Sequence, residues 1–156
     1  MDPKIKKPSA LAARLSALRA KGKKIIFTNG CFDILHVGHV TYLDKAKRLG
    51  DVLVVGLNSD KSVRRIKGPG RPVNSELDRA KVLASLSSVD YVTIFSEATP
   101  EKLIRKLKPG VLVKGGDWKT KDMVGASFVR SLGGRVASLS FVKGYSTTSI
   151  IKRLEK

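Results

Sequence analysis

The sequence predicts an α/β fold, a Rossmann-like doubly wound parallel sheet of about five strands with flanking helices. Short apolar runs alternate along the chain with segments of helical spacing, which is typical of β-α-β units. Most of these runs are hydrophobic throughout, as expected for parallel strands that helices cover on both faces. The predicted strands are residues 25–27, 52–55, 91–94, 111–113 and 135–139.

Apolar residues recur at helical spacing before, between and after these strands. In the leading segment, within residues 1–22, Leu11, Leu15 and Leu18 fall on one face. Predicted helices cover residues 9–19, about 40–49, 76–86, 100–107 and 123–132. Ser75 and Thr99 stand where N-caps are expected. Residues 58–74, which contain Gly-Pro-Gly, are predicted to form one long loop.

The composition indicates a folded protein of the cytoplasm. A length of 156 residues suits one domain with a buried core, so we expect residues 1–156 to form a single domain. A hydrophobic content of 42% excludes a disordered chain. No apolar run is long enough to cross a bilayer, and the first residues lack the pattern of a secretory signal. The single cysteine excludes an internal disulfide framework.

The chain is strongly basic, with 31 Lys and Arg against 13 Asp and Glu and a formal net charge of +18. Such a charge attracts polyanions, which include nucleic acids, nucleotides and phosphorylated metabolites. The basic residues are scattered, and aromatic residues make up only 6% of the chain, so a stacking platform for nucleic acid is not indicated. We interpret most of the charge as solvated surface, with a few cations reserved for phosphate.

The segment 28–39, Thr-Asn-Gly-Cys-Phe-Asp-Ile-Leu-His-Val-Gly-His, carries the strongest functional signal. It follows the first predicted strand and leads into a helix, where Asn29-Gly30 is expected to turn and backbone N–H groups form an anion site. His36 and His39, the only histidines, are three residues apart and share a helix face. Gly38 between them would let a ligand approach the backbone. Two such imidazoles can donate hydrogen bonds to charge that develops on a phosphoryl group.

Cys31 in this segment admits three interpretations. With His36 and His39 it could ligate zinc, but no further Cys or His exists to complete a structural site. A Cys-His nucleophile pair would need a group that activates it, and none is evident. A small buried hydrophobic residue is the favoured interpretation, and no metal ligands are predicted.

Three segments together resemble the cytidylyltransferase-like nucleotidyltransferase superfamily and its HxGH signature. They are residues 27–36, the Lys-Gly-Gly-Asp-Trp of 114–118 and the Gly-Tyr-Ser-Thr-Thr of 144–148. Within the superfamily the chain is most similar to the D-glycero-β-D-manno-heptose 1-phosphate adenylyltransferases of lipopolysaccharide core synthesis. The resemblance implies transfer of AMP from ATP, with Mg²⁺, to that sugar phosphate by direct in-line attack, with release of pyrophosphate.

By this resemblance His36 and His39 stabilise the pentavalent α-phosphate, and Lys67 lies in a mobile loop over the triphosphate as a third catalytic group. The implied nucleotide-binding residues are Asn29, Gly30, Cys31, Phe32, Gly38, Arg79, Lys114, Gly115, Ser146, Thr147 and Thr148. The predicted substrate contacts are Asp33, Asp60 and Asp117.

Each of these assignments has a plainer alternative. Lys67 could be solvated, and Arg79 could pair with Glu76 three residues before it. Residues 114–117 could form a tight turn, although two glycines after a strand also permit close ligand approach and Asp117 can accept hydrogen bonds from hydroxyl groups. The hydroxyl residues 146–148 form a strong N-cap on either interpretation.

Two rival functions stay open. Glycerol 3-phosphate cytidylyltransferases resemble the chain, but they typically carry an acid where Gly116 stands, and Ile34 replaces the proline of other adenylyltransferases in the superfamily. A basic nucleic-acid-binding module would account for the charge but not for the paired histidines. No kinase segment is present, so we expect a separate heptose kinase to supply the substrate. The sequence leaves a homo-oligomer open.

Overall fold

The computed structural model describes residues 2–116 and 119–156, and it contains one five-stranded sheet. The strands run in the order β3-β2-β1-β4-β5, and every neighbouring pair is parallel. Their bounds are β1 Ile25–Gly30, β2 Val52–Asn58, β3 Tyr91–Phe95, β4 Val111–Gly115 and β5 Arg135–Leu139. This topology confirms the predicted doubly wound α/β fold.

Helices flank the sheet on both faces. They are α1 Pro8–Ala20, α2 Val37–Lys47, α3 Asp60–Lys67, α4 Glu76–Ala84, α5 Glu101–Leu107, α6 Ala126–Ser131 and α7 Thr147–Leu154, with a short 3-10 helix at Thr120–Asp122. The predicted caps hold at two of them, because Ser75 accepts a hydrogen bond from the Asp78 N–H at the start of α4 and Ser146 accepts one from the Ser149 N–H at the start of α7. No helix in the described ranges is long and apolar enough to cross a membrane.

The hydrophobic core forms two clusters, one on each face of the sheet. Alternate residues of β1 divide between them, since Ile26 joins the cluster under α2 and α4, whereas Phe27 joins the one under α1, α5 and α6. Both side chains are fully buried. The burial of β2 along its whole length is what a central parallel strand requires.

Three predicted elements differ from the observed ones. The segment 58–74 is not one loop but contains α3, which the sequence hides because only Val63 and Ile66 are apolar in it. Asn29-Gly30 does not turn, since both residues pair with β2 as the last part of β1. The helix predicted over 123–132 begins only at Ala126, because Gly125 before it adopts a positive φ of 83°.

The strand order creates a switch point between β1 and β4. The chain runs outward from β1 to β2 and β3, then returns to add β4 and β5 on the other side. Helices that follow β1 and β4 therefore leave the sheet on opposite faces, which opens a crevice at the carboxyl ends of these strands. The segment with both histidines begins there.

Candidate nucleotide-binding site at the switch point

The two imidazoles lie together at the start of α2. His36 is the N-cap residue, with an extended backbone, and His39 lies in the first helical turn. Their rings stack with centroids 3.8 Å apart and planes at 23°. The Nδ1 atom of each ring is buried and has no hydrogen-bond partner among the described residues. Buried polar atoms without a hydrogen-bond partner are uncommon in folded proteins. Two such atoms on neighbouring rings are consistent with a site that a polar ligand completes.

Burial keeps both imidazoles neutral. It lowers the pKa of His36, and together with the smaller influence of His36 it lowers the pKa of His39 to about 4. At neutral pH each ring therefore has one N–H donor and one acceptor nitrogen. A neutral imidazole can donate a hydrogen bond to a phosphoryl oxygen without bringing a full charge into a site that must also release an anion.

Two glycines of this segment make room for protein rings. A Cβ atom on Gly38 would lie 2.8 Å from His36 Cε1 and 3.1 Å from Tyr145 Cβ. A Cβ atom on Gly30 would lie 2.9 Å from Phe32 Cε2. The sequence predicted Gly38 as a point of ligand approach, whereas in the structure the His36 ring takes that space. The glycine of the HxGH pattern thus allows the first histidine to fold back over the helix.

The loop between β1 and α2 is held in an uncommon conformation. Phe32 has a φ of 44°, which costs free energy in a residue other than glycine and is often found at functional sites. Its ring is buried and lies 5.1 Å from the His39 ring, at 58°. The Phe32 ring therefore packs beside the His39 ring. The predicted contact between Phe32 and the nucleotide stays a prediction.

Cations surround this loop. Burial raises the pKa of the Cys31 thiol, whereas Lys67, Arg79 and Arg71 act in the opposite direction. The partly buried, uncharged thiol agrees with the interpretation of Cys31 as a small hydrophobic residue. No group of three or more His, Cys, Asp or Glu side chains in the described ranges could hold a metal ion, so the zinc alternative finds no support there.

Asp33 does not face the crevice as predicted for a substrate contact. Its carboxylate is 2% exposed and accepts hydrogen bonds from Arg71 Nε at 2.8 Å, Val73 N at 2.9 Å and Asn74 N at 3.0 Å. Burial acts to raise the pKa of Asp33, but the hydrogen bonds from Asn74, Val73 and Arg71 outweigh it and hold the pKa below its usual range. The sequence could not indicate this contact, because its partners are 38 to 41 residues away.

Arg79 and Asp60 are also engaged in hydrogen bonds within the protein. The Arg79 side chain is fully buried and donates to the carbonyl oxygens of Cys31, Asn58 and Asn74 and to Asp60 Oδ1, at 2.7 to 3.0 Å. The predicted contact with phosphate is therefore replaced by a link between the ends of β1 and β2 and the start of α4. The alternative pairing of Arg79 with Glu76 is wrong too, because Glu76 Oε2 accepts from the Asp60 N–H.

Lys67 is the last residue of α3, and its side chain is exposed. Gly68 and Gly70 follow with φ values of 90° and 86°, and a Cβ atom on either glycine would meet nothing within 4 Å. No atom of the described residues therefore lies on the side of these two glycines where a Cβ atom would stand. This placement, and the influence of Lys67 on the Cys31 thiol, agree with the predicted loop over the phosphate-binding segment. The catalytic assignment itself stays a prediction.

Asn29 and Lys114 meet across the switch point on the face opposite to α2. They line a small cavity of about 40 Å³ together with Pro100, Met123 and Val124. Burial lowers the pKa of Lys114. The crevice thus offers polar groups on both faces of the sheet edge, with the imidazoles on one side and this pair on the other.

Gly115 lies under an aromatic ring that the sequence did not single out. A Cβ atom on Gly115 would lie 2.5 Å from Phe141 Cε1 and 3.2 Å from Tyr42 Cε2. Phe141 follows β5 and is 65% exposed. Tyr42 below it is buried and shares a 2.7 Å hydrogen bond with Thr28 Oγ1. The position of Phe141 directly after a strand was the signal that could have revealed it.

The start of α7 closes the site on the side of His36. Thr147 Oγ1 donates to the Ile34 carbonyl at 3.1 Å, and the Tyr145 ring lies 6.3 Å from the His36 ring, at 23°. Ser146 caps the helix and Thr148 lies in its first turn, while the nucleotide contacts of these hydroxyl residues stay a prediction. Asp117, the third predicted substrate contact, lies outside the described residues.

Comparison with known proteins agrees with this geometry. The family described as "Cytidylyltransferase-like" matches residues 27–153. The "Bifunctional protein HldE" of Geobacter metallireducens is 59% identical over 153 residues, which cover 98% of this chain and 31% of that protein. The protein of the same name from Nitratiruptor sp. is 58% identical over 137 residues, 88% of this chain and 29% of that protein. The chain thus spans about a third of the length of these curated relatives.

Two solved structures share the fold. The lipopolysaccharide core biosynthesis protein of Thermoplasma volcanium is 33% identical with a TM-score of 0.64, and the match covers 80% of this chain and all of that one. The pantoate-beta-alanine ligase of Francisella tularensis has the same TM-score over 97% of this chain and 76% of that one. It is 17% identical, so it shows likeness of fold alone. With its paired histidines at the switch point and a family match over most of its length, the chain belongs to the cytidylyltransferase-like family.

Proposed function

We propose that the chain is a sugar-phosphate adenylyltransferase that transfers AMP from ATP to D-glycero-β-D-manno-heptose 1-phosphate. The observation that carries the proposal is the stacked, neutral pair His36 and His39 at the start of α2, beside a loop surrounded by cations. Helix starts and cations bind phosphate, and imidazole N–H groups can stabilise the extra charge of a pentavalent phosphorus.

The reaction needs little from the protein except position and charge stabilisation. A phosphate oxygen of the sugar 1-phosphate attacks the α-phosphorus of ATP, and the bond from that phosphorus to the bridging β-oxygen breaks. Pyrophosphate leaves with the bonding electrons. The attacking phosphate is already ionised at neutral pH, so no general base has to remove a proton. This requirement agrees with imidazoles that act as hydrogen-bond donors.

In-line attack requires that the attacking and leaving groups lie on opposite sides of the α-phosphorus. We propose that the imidazoles on the α2 face contact one of these groups and that Asn29 and Lys114, on the other face of the sheet edge, contact the other. Lys67, at the end of α3, is proposed to contact the triphosphate and Ser146, Thr147 and Thr148 to contact the nucleotide. We propose Asp117 as a contact to the sugar.

Mg²⁺ enters this proposal as part of the substrate, the magnesium complex of ATP. The carboxylates of Asp33 and Asp60 already accept hydrogen bonds from Arg71 and Arg79, so the described residues build no carboxylate site of their own for the ion. The phosphate oxygens of ATP are ligands that Mg²⁺ commonly keeps in such sites. We therefore expect activity to require the ion and binding of ATP to bring it.

The relatives support the choice of substrate. Bifunctional HldE proteins share more than half of their aligned residues with this chain, and a 33% identical protein is described as acting in lipopolysaccharide core biosynthesis. In the relatives the matching segment is a third of a longer protein whose name states two functions. We propose that a heptose kinase makes the substrate and that both steps take place in the cytoplasm.

A pyrophosphate-release assay tests the proposal. ATP and CTP are each combined with D-glycero-β-D-manno-heptose 1-phosphate and with glycerol 3-phosphate, and kcat/KM is measured for the four pairs. We expect the highest value for ATP with the heptose phosphate, because a site built on hydrogen bonds discriminates strongly against acceptors that lack a partner group. A higher value for CTP with glycerol 3-phosphate would reject the substrate assignment. No turnover of any pair would reject the enzyme.

A further inference from the structure

The carboxylate of Asp33 joins two segments that are far apart in the sequence. It belongs to the loop after β1, and its partners belong to the loop after α3. Arg71 Nε, Val73 N and Asn74 N all donate to it within 3.0 Å. A fourth bond runs the other way, from Asn74 Nδ2 to the Asp33 carbonyl at 2.9 Å. We call these contacts the Asp33 clamp.

The clamp is anchored from the protein interior. The buried Arg79 guanidinium donates to the Asn74 carbonyl at 3.0 Å and to the Cys31 carbonyl at 2.7 Å, so it holds the backbone on both sides of the clamp. The Asp33 and Arg71 side chains are 1% and 17% exposed, respectively. An ion pair so far from water keeps its geometry better than a pair on the surface, which side-chain motion and salt weaken.

The clamp leaves only a short part of the loop free. α3 ends at Lys67, and the clamped residues begin at Arg71, so residues 68–70 are the unattached connection. Without the clamp the unattached segment would extend to residue 73, because Arg79 still holds the Asn74 carbonyl. A longer free segment has more conformations to lose when it is ordered over a ligand.

We propose that Asp33 and Arg71 form a positioning pair, which fixes the loop after α3 so that Lys67 lies over the triphosphate in the reacting complex. The inference rests on the proposed function, and it assigns to Asp33 a role different from substrate contact. Neither residue touches substrate in this scheme. They act through Lys67, whose charge is needed most when negative charge moves to the leaving pyrophosphate.

The proposal predicts a particular kinetic pattern. In Asp33→Asn the side chain keeps its shape, but its amide group cannot accept all three hydrogen bonds and carries no charge for Arg71. Because the clamp sets position in the transition state more than in the ground state, kcat should fall on the order of tenfold to a hundredfold. The KM for ATP should change much less. Asp44→Asn removes the same charge from an exposed position on α2 and serves as the matched control.

A double-mutant cycle tests the link to Lys67. Once Lys67→Ala has removed the ammonium, Asp33→Asn should lower kcat by no more than about threefold further, since energies of coupled groups are not additive. Arg71→Gln should behave like Asp33→Asn, and Arg71→Lys should recover part of the loss. If Asp33→Asn costs the same factor in kcat with and without Lys67, the proposal is wrong.

Amide hydrogen exchange gives a readout that does not depend on the reaction. In the wild type the Val73 and Asn74 N–H groups donate to Asp33, so NMR should find them protected, and both Asp33→Asn and Arg71→Gln should speed their exchange at least tenfold. Core amides of β2 should stay protected, which verifies that the variants are folded. If Asp33→Asn does not fold, Arg71→Gln carries the same test. Unchanged exchange in the folded variants would overturn the clamp, whereas loss of the wild-type reaction with intact protection would reject only the proposed function.

Discussion

The His36 and His39 rings stack 3.8 Å apart, and the helix backbone between them passes so close to the His36 ring that only a glycine fits at position 38. The pair is therefore set by local geometry, with His36 as the N-cap residue and His39 three residues later on the same face. Two stacked imidazoles can remain this close because burial keeps them uncharged. Their position and their neutrality lead to the first three predictions.

Removal of either imidazole should abolish most of the activity and leave the fold intact. Loss of one hydrogen-bond donor to developing charge typically lowers kcat about a hundredfold to a thousandfold. We expect such losses in His36→Ala and in His39→Ala, measured as steady-state kcat for pyrophosphate release, with circular dichroism to verify folding. Near-normal turnover in both folded variants would show that the histidines are not catalytic.

Gly38→Ala should damage activity more than stability. The new methyl group would meet the His36 ring at 2.8 to 2.9 Å, and the easiest relief is movement of that ring, since it is the far end of a side chain. A displacement of about 1 Å at a reacting centre can cost about a hundredfold in rate. We expect kcat to fall by at least tenfold while the melting temperature changes little. Gly110→Ala, whose Cβ atom would meet no atom of the described residues closer than 3.7 Å, is the matched comparison for stability.

The low pKa of His39 predicts how stability depends on pH. In the folded protein this pKa is about 4, below the ordinary value of 6.5, so as the pH falls the unfolded chain binds the proton first. The contribution of His39 to the free energy of unfolding is thus fully present above pH 6.5 and is lost progressively between pH 6.5 and 4. The free energy of unfolding, measured by denaturant at each pH in this range, should fall more steeply with decreasing pH in the wild type than in His39→Gln, so the two plots against pH should not be parallel. Parallel curves would contradict the low pKa.

Arg79→Ala should destabilise the protein, and turnover should fall together with stability because the same side chain holds the loop after β1. The substitution leaves three backbone carbonyl groups and the Asp60 carboxylate without their donor. Breaking a buried charged pair typically costs about 3–5 kcal/mol of unfolding free energy. Chemical denaturation measures this loss, with Arg105→Ala, on the exposed Glu101 pair, as the control that should cost less than about 1 kcal/mol. A stable Arg79→Ala protein with weakened ATP binding would restore the phosphate role predicted from the sequence.

Tyr42→Phe should cost about 1 kcal/mol of stability, because it leaves the buried Thr28 hydroxyl without its partner. The double variant with Thr28→Val removes both polar groups and should recover part of that loss. The phenol also has its pKa raised to about 12, chiefly by burial, so we expect the ultraviolet titration of this tyrosine to remain incomplete below that pH. An additive cycle would show that the two hydroxyl groups do not interact.

The sequence predicted the elements whose signals are local. Five strands could be located because the apolar runs are short and separated, and the site could be placed at the sheet edge because polar residues follow β1 and β4 directly. The paired histidines were recognisable because a three-residue spacing defines a helix face. Helix α3 was missed because only two of its eight residues, Val63 and Ile66, are apolar, which is too few to show a helical spacing.

The predictions for Asp33 and Arg79 failed for one shared reason, the long-range hydrogen bonds of charged side chains. Asp33 and Arg79 were assigned to ligands because they lie next to the predicted site, but most of their partners come from segments 19 to 48 residues away along the chain. Spacing within one segment carries no information about such partners. A buried charged group needs hydrogen-bond partners within the protein. That requirement could not be used here, because the sequence does not show that Asp33 and Arg79 are buried.

The buried guanidinium of Arg79 ties the loop after β1, the end of β2 and the turn before α4 at a single point. These segments come together only when the sheet is assembled, so the loop after β1 cannot reach its final conformation ahead of the rest of the fold. Heat inactivation and global unfolding should accordingly follow one curve, with no inactive but folded species between them. For protein engineers this means that thermostability and turnover cannot be tuned separately through this residue.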